Sequence, residues 1–297
     1  MKPLFVFALA LLAGAPQSAQ QRPPATGAPK DFVLPAAKRF TLANGLPVTM
    51  VPFGQVPKAA IRLVVAAGNV YENKDEVWLA DLTGNLMREG TASETADALA
   101  RGFAGMGGEL GIAVGPDTTA ISTEVLSERA ADAVRTIADV AKHARLPDSE
   151  IERVKGNLLR NLAIAKSSPQ AIAQERFAQL LYGEHPYGRV FPTEAMVKGY
   201  TLNQVQTFYR SHYGAARARL YVAGVFDAAS LEAAIKHAFE GWDGAKASDG
   251  TCAGVAEESS SHSGGAARAA RPVLRPNCAD ARSRPDTAHS RAHLGTH

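Results

Sequence analysis

Two hydrophobic periods divide this chain. Between residues 39 and 67 apolar side chains alternate with polar ones or run together in short stretches, the mark of β-strands. Phe40-Thr41-Leu42 leads into Asn44-Gly45, a strong tight-turn dipeptide, and then Pro47-Val48-Thr49-Met50-Val51. Ala59 to Ala67 reads as a third strand, ending at Gly68. From Trp78 to Arg88 the spacing becomes helical, with Leu79, Leu82 and Leu86 on one side. Ser93, with Glu94 and Asp97 behind it, is expected to start a second helix that ends in Gly105-Met106-Gly107-Gly108. Glu109–Val114 and Thr118–Leu126 read as paired strands around Gly115-Pro116-Asp117. Helices follow at 129–144, from Pro147 to about Lys166, and from Pro169. Tyr182 to Arg189 is a loop, 201–213 a helix, 218–225 a strand and 229–240 a closing helix. Strands and helices come in groups rather than in strict alternation. The expected fold class is therefore α+β, a largely antiparallel sheet packed with helices.

The ends differ from this body. Lys2, the apolar run Leu4 to Ala13 and small residues at Ala13-Gly14-Ala15 and Gln17-Ser18-Ala19 have the form of a secretory signal. The run is short for a bilayer span. The expected organisation is a signal peptide at 1–19, a disordered linker at 20–38, a globular domain at 39–245 and a disordered tail at 246–297, with export to the periplasm or beyond. Residues 251–297 carry ten Ala and six Arg but no Lys, Ile, Met, Phe, Tyr or Trp, so they cannot bury a core. That mix is the one an out-of-frame reading of GC-rich DNA gives. Both cysteines, Cys252 and Cys278, lie in this tail, which leaves the domain without a disulfide or a cysteine nucleophile. The net charge is +3, and the tail supplies two of those charges, six Arg against four acids. A nearly neutral domain carries no nucleic-acid footprint.

The helix from Leu79 has the frame of an H-x-x-E-H zinc helix without its chemistry. Two imidazoles at i and i+4 hold zinc on one face, and a glutamate at i+3 activates the bound water. Here those positions read Asp81, Gly84 and Asn85. Around them several segments occur in a telling order: Thr41 to Leu46, Gly68-Asn69-Val70-Tyr71-Glu72, Gly90-Thr91, Gly107-Gly108-Glu109-Leu110, Val125 to Glu128, Leu181-Tyr182-Gly183, His185 to Arg189, Phe208-Tyr209-Arg210 and Tyr221 to Asp227. Together they resemble the insulinase and pitrilysin family of metallopeptidases, which includes the mitochondrial processing peptidases. The resemblance spans one family repeat domain, roughly residues 40 to 227.

That resemblance implies further positions. The third zinc ligand of the family falls on Asn161, beside Arg160, and neutral amides are poor zinc ligands. No cofactor is expected here, although active family members carry zinc. The strand that receives extended peptides falls on Gly111, Ile112, Ala113 and Val114, where main-chain pairing survives changes of side chain. The resemblance also implies a partner, since family assemblies pair an active chain with a degenerate one around a peptide-holding chamber. Three readings stay open at this stage: a non-catalytic, peptide-binding subunit of an active peptidase; an active zinc metalloendopeptidase with atypical ligands; and a truncated remnant without function. Other chemistries find no footing. The Gly102–Gly108 cluster lacks the Lys-Ser/Thr of a phosphate loop, and Ser127 and Ser211 lack a G-x-S-x-G setting. Among the histidines, His185 is expected in a structural loop role, His143 at a helix C-terminus, and His212 and His237 on helix faces.

Overall fold

Alternation along the strands decides which face of the sheet is covered. In the computed structural model, which describes residues 35–245, strand β3 (Lys58–Val65) buries Ala59, Ile61, Leu63 and Val65 and turns Lys58, Ala60 and Arg62 outward. Strand β6 (Ala218–Gly224) does the same with Ala218, Leu220 and Val222 inside and Arg219 and Tyr221 outside. The expected leader, most of the linker and the whole tail with its cysteines lie outside the described residues.

Among the described residues six strands form one sheet in the order β1-β2-β6-β3-β5-β4. The others are β1 (Lys38–Thr41), β2 (Pro47–Pro52), β4 (Gly111–Val114) and β5 (Thr119–Leu126). β1 and β2 form the hairpin that Asn44-Gly45 announces, with Gly45 at φ 87° in the left-handed region the turn needs. Four of the five strand pairings are antiparallel, so the sheet is largely antiparallel as expected; β2 and β6 alone run parallel, Val48 opposite Leu220. β4 is the last strand on its side.

The helices cover the apolar face. Helix α1 (Leu79–Leu86) is enclosed nearly all round, with Leu79, Ala80, Leu82, Thr83, Gly84 and Leu86 buried. It packs against β4, against α4 (Asp148–Ser167) and against α7 (Leu202–His212). Helix α3 (Ala130–Lys142) lies on β3 and β5 and beside the closing helix α8 (Ala228–Phe239), joining Val134, Ile137, Leu231, Ile235 and Phe239 in one core. Between these sit α2 (Ala96–Gly105), α5 (Pro169–Tyr182) and a short α6 (Glu194–Gly199) that the pattern did not announce.

One boundary differs from expectation. α2 starts at Ala96, capped by the Thr95 hydroxyl, which accepts from the Ala98 amide at 3.3 Å. Ser93 is used elsewhere: its hydroxyl donates to Asp139 at 2.8 Å and tethers this loop to α3. A capping-type residue with a tertiary partner is not free to cap.

Leu220 and Tyr221 offer a paired test of which face carries the stability. Leu220→Ala removes a fully buried side chain from a central strand and should cost about 2–5 kcal/mol in urea unfolding. Tyr221→Ala, on the open face, should cost about 1 kcal/mol or less. Equal losses would mean that the outer face is also packed.

Candidate functional site

The site is built around the entry to α1. Gly68 opens it: a Cβ there would stand 2.4 Å from the Gly115 carbonyl oxygen, so only glycine lets this turn lie against the β4–β5 turn. The next residue is held by its backbone, the Asn69 amide donating to Gly115 O at 3.2 Å. Its side-chain amide then reaches inward and donates to two carboxylates, Glu72 Oε1 at 3.0 Å and Asp81 Oδ2 at 2.8 Å.

Glu72 caps α1 from a distance. Its carboxylate accepts from the Trp78 amide at 3.1 Å and the Ala80 amide at 2.8 Å, two of the donors a helix N-terminus leaves unpaired. The chain reaches this helix through Trp78 in a left-handed conformation, φ 71°, fixed by its indole N–H donating to Val190 O at 3.0 Å. Tyr200 closes the approach, its hydroxyl donating to Val77 O at 2.6 Å. Glu72 is 4% exposed. Burial pushes its carboxyl up, the bonds from Ala80 and Asn69 pull it back, and the neighbouring Asp81 pushes it up again, to about 8. Asp81, half-buried, is also raised by burial, with the Asn69 amide opposing.

The three positions of the H-x-x-E-H frame do not converge on a ligand set. Asp81 faces Asn69 and Glu72. Asn85 is exposed and turns back on its own helix, donating to Asp81 O at 2.8 Å. Gly84 is buried under β4: a Cβ there would lie 2.8 Å from Val114 Cγ2 and 3.5 Å from Ile112 Cγ2. Asn161 is exposed on α4, next to buried Leu162. Among the described residues no group of three or more His, Cys, Asp or Glu is placed to hold a metal ion. Neutral amides and a glycine do not fit zinc, and one carboxylate already committed to an amide donor does not replace the missing ligands.

The Gly111–Val114 strand sits at the sheet edge, where a peptide-pairing strand must be. Its outer border is already touched. Arg88, in the turn after α1, donates through Nη2 to Ile112 O and lies 3.5 Å from Leu110 O through Nη1. The histidines take local roles. His185 Nδ1 accepts from the Tyr187 amide at 3.2 Å, His143 pairs with Asp139 at the end of α3, and His237 is exposed. His212, half-buried against Phe208 and Tyr71, has its ring pKa lowered chiefly by burial.

Two residues escaped the sequence pattern. Glu72 lies seven positions before α1, too far for a capping signature, and its partnership with Asp81 runs through Asn69. Asp81's carboxylate neighbour is Glu72, while Glu89 pairs with Arg153 at 2.6 Å and Glu76 is held by Asn73 and Gln204. Nothing local to Arg88 announces its reach to β4.

Glu72 makes stability depend on pH. Its proton affinity in the fold lies above that of a free glutamate, so the stabilisation linked to it is complete below about 4.5 and drains away as pH climbs through about 8. Each pH unit of that separation is worth about 1.4 kcal/mol. The urea midpoint of the wild type should therefore fall between about pH 5 and about pH 9, and Glu72→Gln should flatten the slope over this window. A slope unchanged by the substitution would assign the dependence to other groups.

Residues 54–191 match the family model described as Insulinase (Peptidase family M16), and residues 199–277 match the Peptidase M16 inactive domain. An uncharacterised zinc protease of Rickettsia bellii is 27% identical over 187 residues, covering 63% of this chain and 45% of that protein. An uncharacterised zinc protease of Mycobacterium leprae is 27% identical over 202 residues, 68% of this chain and 45% of that one. A probable mitochondrial-processing peptidase subunit beta of Arabidopsis thaliana is 23% identical over 191 residues, 64% of this chain and 36% of it. Among solved structures, a peptidase M16 inactive domain from Pseudomonas fluorescens superimposes with a TM-score of 0.65 at 24% identity, covering 71% of this chain and 52% of that one. A protease from Helicobacter pylori gives 0.67 at 19%, with the same coverage. This chain spans a little under half the length of the bacterial relatives cited here. With residues 54–191 and 199–277 matched in succession by two models of one family, the chain belongs to the insulinase (M16) peptidase family.

Proposed function

We propose that this chain is a non-catalytic homologue of the insulinase-family zinc peptidases, a peptide-binding partner for an active family member. The observation that carries the reading is the fit between Gly84 and Val114. A proton-accepting side chain on α1 would occupy the volume that Val114 now fills at 2.8 Å. Val114 is β-branched and stiff at χ1, so it does not swing aside cheaply. The helix has thus lost the base along with the ligands, and the strand has closed over the place. With neither a water-activating group nor three zinc ligands, hydrolysis is left to another chain.

A partner role is supported by α5. This 14-residue helix buries only Ala178 and carries Ile172, Phe177, Leu180 and Leu181 at 46–76% exposure. On a helical wheel these four lie within one half of the circumference, opposite Ala178. Ile164 of α4 is also exposed, at 62%. Beneath α5 lies a cavity of about 460 Å³ bordered by Trp78, Tyr182 and Tyr187. Helices of this length draw their stability from packing, and a bare apolar arc this wide marks an interaction surface. Among the described residues no helix is long and apolar enough to cross a membrane. The apolar N-terminal leader supports export and a place of work outside the inner membrane.

The reading is tested by co-expressing the full chain with an H-x-x-E-H member of the family from the same genome. A complex should elute together on size exclusion, and Leu180→Glu should dissolve it while the purified variant keeps its helical circular dichroism. Proteolysis of an unfolded protein should come from the pair, and the chain alone should leave the substrate intact. Chelator-sensitive cleavage by the isolated chain would overturn the non-catalytic reading. Failure to associate with any such chain would overturn the partner role.

A further inference from the structure

Among the described residues β4 has one paired and one open border, and its register says which groups lie on each. The turn that joins it to β5 has Gly115 N donating to Thr118 O at 2.9 Å, which makes 115 and 118 a hydrogen-bonded pair. Counting back along the ladder, Ala113 with Ala120 and Gly111 with Ser122 are bonded pairs in turn, while Ile112 with Ile121 and Val114 with Thr119 are not. The amides and carbonyls of Ile112 and Val114 therefore face away from β5, together with the carbonyl of Leu110. An added strand must bond to these groups.

The Arg88 guanidinium stands on them. It donates to Ile112 O and approaches Leu110 O at 3.5 Å, spanning two successive outward carbonyls. Among the described residues Arg88 has no carboxylate partner. Its neighbour Glu89 is taken by Arg153 at 2.6 Å, and the Asp81 and Glu72 carboxylates are turned toward Asn69. A cation resting on neutral carbonyl dipoles, exposed and without a counter-ion, is held weakly and is free to exchange for an anion.

We propose that Arg88 is a displaceable strap on the open border of β4, selecting extended peptides that carry an acidic side chain. A neutral peptide pairing with β4 takes Ile112 O for its own amide and leaves the guanidinium with no acceptor. A peptide with a carboxylate beside the paired stretch gives the guanidinium a charge-assisted, two-point partner as it lifts away. The strap also blunts an exposed sheet edge against pairing with other chains when no peptide is present. This rests on the peptide-binding reading above and names the peptide class.

Fluorescently labelled ten-residue peptides of alternating Val and Thr, identical but for one central Asp or Asn, test it by anisotropy on the full chain. One charge-assisted bond is worth about a tenfold change in affinity, so the Asp peptide should bind about tenfold tighter at low salt. High salt should shrink the difference. Arg88→Ala should abolish the preference and leave the Asn peptide bound as well as, or better than, in the wild type; Arg88→Lys should keep part of it. Slowed hydrogen exchange at the Ile112 and Val114 amides should mark the bound state. An Asp/Asn ratio equal in the wild type and Arg88→Ala overturns the strap and leaves peptide pairing standing. Binding without protection of those two amides overturns it as well. Failure of both peptides to bind either protein overturns the pairing itself, and the strap with it.

Discussion

Everything at this site depends on how closely α1 and β4 approach each other. Gly84 has no side chain, so the helix surface is flat where Val114 and Ile112 descend upon it. The two elements approach so closely that a Cβ at Gly84 would lie 2.8 Å from Val114 Cγ2. The other anchor is Glu72, whose carboxylate holds the first turn of α1 by two backbone amides and shares Asn69 with Asp81. The helix is fixed at its start by a buried acid and along its length by a strand. Most of its side chains are buried in that packing.

Much of this fold is legible in the sequence because its strands are covered on one face. Period-two burial in β3 and β6 follows from that coverage, and Asn44-Gly45 marks the hairpin by its backbone demands. What the pattern does not carry is pairing order. The parallel match of Val48 with Leu220 joins segments about 170 positions apart, and nothing local to either encodes it. α2 starts later than Ser93 for a related reason: Ser93 has the chemistry of a cap but spends its hydroxyl on Asp139, a residue of another helix.

The site divides along the same line. That Asp81, Gly84 and Asn85 supply no imidazole and no glutamate is visible in sequence, because a metal site is defined by residue types at fixed spacing. The replacements' own roles are not. That Asp81 would face Glu72 through Asn69, that Asn85 would fold back on its helix, and that Arg88 would lie across the carbonyls of β4 all depend on contacts made after folding. Glu72 is the instructive case. Its burial raises its proton affinity, and burial is a tertiary property that no spacing rule predicts.

The apolar arc of α5 fits the same account. Its outer side is bare among the described residues, and it is the surface proposed above to meet a partner. The most direct test of the central claim is the zinc content of the full chain, purified from zinc-supplemented medium without chelator and measured by plasma mass spectrometry against protein concentration. The account predicts far less than one zinc per chain. One tightly held zinc per chain, surviving dialysis, would contradict it.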